Sequence, residues 1–62
     1  QHETLATVLI HAQGGDQVLL RQSHTGSGII KIKYGPLKLR TKRLSVDSTT
    51  FQKVRAALTR TT

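Results

Sequence analysis

A chain of 62 residues buries only about 60% of the surface that its unfolded form exposes, which excludes a large enzyme built around a deep cleft and fits one small domain. Apolar residues make up 35% of it, against roughly 45–50% counted with glycine in ordinary globular domains, so help from a second copy or from the rest of a larger chain is expected. Ten lysines and arginines against three acids give a net charge of +7, and a pI near 11.0 lies well above the value of about 9 that marks a candidate polyanion binder.

Residues 4–12 read TLATVLIHA. Ala6, Val8, Ile10 and Ala12 alternate with Leu5 and Leu9, and the β-branched content predicts a first strand covered on both faces. Gln13-Gly14-Gly15-Asp16 then reads as a hairpin turn, followed by a second strand over Gln17 to Gln22. Residues 23–28, SHTGSG, form a polar loop with nothing to bury.

Ile30, Ile32 and Tyr34 alternate with Lys31 and Lys33. This period of two predicts a third strand with its bulky residues on one face and its cations on the other. Gly35-Pro36 marks a turn or a bulge. Beyond it Leu37 and Leu39 alternate with Lys38, Arg40 and Lys42, a fourth strand whose parity shifts again at Leu44 and Val46, so an irregularity is expected near Lys42-Arg43. Asp47, Ser48 or Thr49 can cap a helix over about residues 49–60, in which Phe51, Val54, Ala57 and Leu58 share one stripe. The expected architecture is α+β: a small antiparallel sheet of three to four strands and one C-terminal helix packed on one face.

Between Asp16 and Asp47 the sequence holds no acid, while Arg21, Lys31, Lys33, Lys38, Arg40, Lys42 and Arg43 all lie in that interval. If the third and fourth strands pair, alternation places Lys31 and Lys33 with Lys38, Arg40 and Lys42 on the non-core face. Like charges in such a row repel unless a polyanion lies against them, and a phosphate backbone is a linear array of that kind. The expected function is nucleic-acid binding through these residues, with DNA ahead of RNA and duplex ahead of single strand. Arg40 and Arg43, with planar forks that can address guanine, are the candidates for reading bases. Single-strand binders stack bases on aromatic side chains; here the aromatics are Tyr34 and Phe51, and both fall on core positions.

The segment Lys42-Arg43-Leu44-Ser45-Val46-Asp47 followed by Phe51, Val54 and Leu58 resembles the last strand and helix of the PC4-type single-stranded DNA-binding fold. The same strand, cap and helix order resembles the end of the signal-recognition-particle Alu-type αβββα proteins. Both resemblances imply polyanion binding by a sheet with a C-terminal helix.

Other chemistry finds little footing. Ser23 to Gly28 offers backbone N–H groups to a phosphate but lacks the Gly-Lys-Ser/Thr ending of a nucleotide-binding loop. Glu3, Asp16 and Asp47 stand far apart, and His2, His11 and His24 show no metal-ligand spacing. No catalytic residue, metal, cofactor or small-molecule substrate is expected. The chain has no cysteine, no apolar run near the ~18 residues of a membrane span and no signal-peptide pattern. It reads as an intracellular protein of the nucleoid, nucleus or cytoplasm, a homodimer or a module of a longer chain. An absent apolar wedge and an absent basic amphipathic helix argue against a membrane partner. The rival expectation is an assembly or docking protein with solvated cations.

Overall fold

A computed structural model of the chain describes residues 5–61. In chain order it contains helix α1 (Leu5–Gln13), strands β1 (Gln17–Gln22), β2 (Gly28–Tyr34) and β3 (Arg40–Val46), and helix α2 (Ser48–Thr61), with a 3₁₀ turn at Pro36–Lys38 between β2 and β3. The class is α+β. The sheet has three strands in the order β1-β2-β3, antiparallel throughout.

The first expected strand is instead a helix. Leu5, Val8, Leu9 and Ala12 stand at i, i+3, i+4 and i+7, a helical stripe, and Val8 is buried by it at 2% exposure. The propensity of Thr7, Val8 and Ile10 for strands is worth only fractions of a kcal/mol each, less than the burial that the stripe secures. The two glycines stop the helix and do not turn a hairpin. Gly15, at φ 91, donates its N–H to Ala12 O at 3.2 Å, and Asp16 donates to His11 O at 3.0 Å. This pair of bonds is a Schellman cap, which requires a left-handed residue where glycine carries no steric penalty. Thr4, the first residue of the expected strand, lies outside the described residues.

β1, β2 and α2 stand close to the expected positions. Asp47 caps α2: its Oδ1 accepts the Thr50 N–H at 2.8 Å, and its carbonyl accepts the Phe51 N–H at 2.9 Å. The fourth strand is shorter than the sequence implies. Leu37 and Leu39 belong to the turn, β3 runs without interruption from Arg40 to Val46, and no irregularity falls at Lys42-Arg43.

Both helices pack on one side of the sheet. Val8 of α1, Ile30 and Ile32 of β2 and Phe51 and Val54 of α2 are each at most 2% exposed. Val18, Leu20, Tyr34, Leu44, Val46 and Leu58 pack around that centre. Each fully buried aliphatic side chain contributes roughly 1.5–3 kcal/mol, and no described buried polar side chain is left without a partner. One sheet face is therefore closed by helices, and the other is open.

Candidate nucleic-acid interface

Register decides which cations share a face. Residues directly opposite in an antiparallel pair point the same way, and β2 pairs Ile29 with Arg21 and Ser45, Lys31 with Leu19 and Arg43, and Lys33 with Gln17 and Thr41. These nine side chains tile the open face in rows of three. Arg21, Lys31, Lys33 and Arg43 supply four positive charges there, spaced about 6.6–7 Å along a strand and about 4.8 Å between strands. Lys31 and Arg43 are direct cross-strand neighbours, a like-charge placement that destabilises a sheet when nothing neutralises it.

Neither described acid does so. Asp16 is hydrogen-bonded to His11, with Oδ2 2.8 Å from Nδ1, and Asp47 is held at the start of α2. Hydrogen bonds from the Thr50 hydroxyl, and then from its N–H, keep the Asp47 carboxyl below the ordinary range, with Lys53 adding a smaller favourable field. Glu3 and His2 lie outside the described residues, and no cluster of metal-ligating side chains occurs among those described.

The expectation that Lys38, Arg40 and Lys42 join Lys31 and Lys33 on one face is corrected. Arg40 pairs with Tyr34 and Lys42 with Ile32, so both lie on the helix side of the sheet, at its edge strand. Lys42 Nζ sits 5.7 Å from the centroid of the Tyr34 ring, and Tyr34 in turn meets the His11 ring at 5.7 Å between centroids. Lys38 belongs to the β2–β3 turn. The cause is the position of the turn: the alternation of Leu37 and Leu39 ends before β3 begins, and the strand starts on the opposite parity. Arg43, a base-reading candidate that the alternation assigned to neither face, stands at the centre of the open face opposite Lys31.

The sequence reading also missed the neutral residues of this face. Gln17, Thr41 and Ser45 are exposed and offer hydrogen bonds beside the cations. Leu19 and Ile29, 40% and 41% exposed, line a shallow depression with Arg21, Lys31 and Arg43. A period of two in β1 and β3 marks these positions only after the register is known.

The Ser23–Ser27 loop is an organised turn, with its groups largely spent on itself. Ser23 N–H donates to Ser27 O at 2.8 Å and Gly26 N–H to Ser23 O at 3.1 Å, and the Ser23 and Thr25 hydroxyls are 2.8 Å apart. Arg55 on α2 is likewise engaged, bonding Gln52 at 2.9 Å and lying over the Phe51 ring. The expected absence of an exposed apolar wedge is overturned: Leu37 and Leu39, at the tip joining β2 and β3, are 87% and 78% exposed. Among the described residues no helix is long and apolar enough to cross a membrane.

Comparison with protein-family models, curated proteins and solved structures finds no match. The functional reading therefore rests on the side chains of the open face.

Proposed function

We propose that the chain is a nucleic-acid-binding module that lays the open face of its sheet against the phosphates of a duplex, with DNA as the first ligand. The observation that carries this reading is the opposition of Lys31 and Arg43 at the centre of that face, flanked by Arg21 and Lys33 and by no described acid. Such a face is stabilised by a polyanion, and the release of condensed counterions supplies the driving term. Phosphates position such a protein on its ligand, while Arg43 and Arg21 have the planar forks suited to a guanine edge.

Duplex is preferred to single strand because the open face carries no aromatic platform. Phe51 is buried at 1% exposure and Tyr34 faces the helices, so neither offers a ring for base stacking. A second copy of the chain suits this face poorly. A two-fold contact through it would set Lys31 and Arg43 against their own copies, so a dimer would form through another surface.

The test is duplex affinity against salt concentration. Four phosphates neutralised by Arg21, Lys31, Lys33 and Arg43 correspond to a log-log slope of roughly −3 to −4. A slope near zero would end the proposal. If added duplex leaves the mass in light scattering unchanged, the rival reading of an assembly protein with solvated cations takes its place.

A further inference from the structure

The β2–β3 connection holds two leucines out in solvent, at 87% exposure for Leu37 and 78% for Leu39. They are not on a slack loop. Lys38 N–H donates to Gly35 O at 3.0 Å and Leu39 N–H to Pro36 O at 3.3 Å, and Pro36 has a ring-fixed φ. Leu37 and Lys38 take φ of 60° and 55°, a left-handed pair that L-residues adopt against steric resistance. Strain of this kind persists only where the surrounding structure enforces it, and it gathers at functional sites. The tip is thus a pre-shaped apolar point, and the charged side chains nearest to it in sequence, Lys33, Lys38, Arg40 and Lys42, are all cations.

We propose that this tip is a wedge that enters a groove of the duplex bound by the open face and parts a base step with Leu37 and Leu39. The proposal rests on the nucleic-acid reading above and adds a mechanism to it. An apolar point inside a collar of cations fits a ligand whose outside is anionic and whose interior is apolar. Stacked bases behind phosphates meet that description, and aliphatic wedges of leucine or proline are known to unstack and kink duplexes. An anionic lipid surface meets it too, but fits the rest of the molecule less well. Along the strands, at ~3.3 Å per residue, Lys31 and its neighbour Arg43 stand about 10 Å behind the tip end of β2 and Arg21 about 17 Å behind it, beyond a screening length of about 8 Å. A flat membrane reached by the tip leaves Lys31, Arg43 and Arg21 unmatched. A rod of phosphates lying along the strands meets the face and the tip together.

The experiment uses a DNA duplex carrying 2-aminopurine, whose fluorescence rises on unstacking, with the wild type and the double variant Leu37→Ala, Leu39→Ala. Both side chains are exposed, so the variant should keep the wild-type far-ultraviolet spectrum and melting temperature. The wild type should raise the fluorescence. The variant should bind with the same salt slope, about tenfold more weakly, and without the rise. As a second readout, Leu37→Trp places the sole tryptophan in a chain that has none, and its emission should be quenched on adding duplex.

A steep salt slope with no fluorescence rise in the wild type, or with an equal rise in the double variant, overturns the wedge and leaves the nucleic-acid reading standing. An unquenched Leu37→Trp emission does the same. Absence of any salt-dependent binding removes both proposals. Leucine-dependent co-sedimentation with vesicles of phosphatidylserine and phosphatidylcholine, in protein that leaves 2-aminopurine dark, also overturns the wedge and assigns the tip to lipid.

Discussion

The ring of Phe51 occupies the space where a side chain on Gly28 would begin. A Cβ built on Gly28 would lie 2.3 Å from Cδ1 and 2.5 Å from Cε1 of Phe51, and 2.8 Å from the Arg21 carbonyl oxygen. Gly28 opens β2 opposite Gln22 and Val46, so the missing side chain lets α2 seat its aromatic directly on the sheet. Gly28→Ala should cost about 1–3 kcal/mol through overpacking, read as a lower urea midpoint at unchanged slope. An unaltered midpoint would mean that the ring packs elsewhere.

The end of α1 gives a second stability test with a different cause. A Cβ on Gly15 would meet nothing within 4 Å, yet its φ is +91°. Gly15→Ala should therefore cost about 1–2 kcal/mol through the backbone alone, and Gly15→Asn should cost less, since asparagine tolerates the left-handed region. Equal melting temperatures for all three proteins would contradict the Schellman cap.

These two glycines show where the sequence could be read and where it could not. β2 was legible because Ile30, Ile32 and Tyr34 alternate with two lysines, and α2 because Phe51, Val54 and Leu58 follow a capping aspartate. α1 was hidden because Leu5, Val8, Leu9 and Ala12 fit a helix while Ala6, Val8, Ile10 and Ala12 alternate as a strand does, and local preference is too weak to choose. Leu37 and Leu39 imitated a strand for a similar reason: two apolar residues around a lysine give the right period in a turn that pairs with nothing. That imitation carried the wrong parity into β3 and put Lys42 on the wrong face. The opposition of Lys31 and Arg43 depends on pairing register, a relation between distant residues that periodicity within one strand does not contain.

Asp47 makes stability depend on pH with a definite sign. Its folded carboxyl titrates below the ordinary range because the Thr50 hydroxyl and N–H bond the ionised form. The unfolded carboxyl titrates at about 3.9, so the stabilisation is fully present above that pH and is lost as pH falls through the lower folded value. Asp47→Asn should lower the dependence of melting temperature on pH across this acid window while keeping α2 capped. A variant with the same acid slope as the wild type would assign that slope to other groups.

Reversing the charge of Lys31 should separate stability from binding. Lys31→Glu sets a carboxylate opposite Arg43, and an opposite-charge cross-strand pair in place of a like-charge one is worth about 0.2–1 kcal/mol. The variant should melt at a higher temperature than the wild type and bind duplex much more weakly. Lys53→Gln, on the outer surface of α2, should leave binding within about twofold, as a surface substitution outside the contact does. A variant Lys31→Glu that is less stable and binds as well as the wild type would show that the face is not arranged for an anion.

The most direct measurement is a map of backbone amide shifts in labelled protein as a short DNA duplex is added at low salt. The expected result is that shifts concentrate on Arg21, Ile29, Lys31, Thr41, Arg43 and Ser45, all of one sheet face, and fade together as salt is raised. Shifts confined to α1 and α2, with the open face unmoved at any duplex concentration, would contradict it.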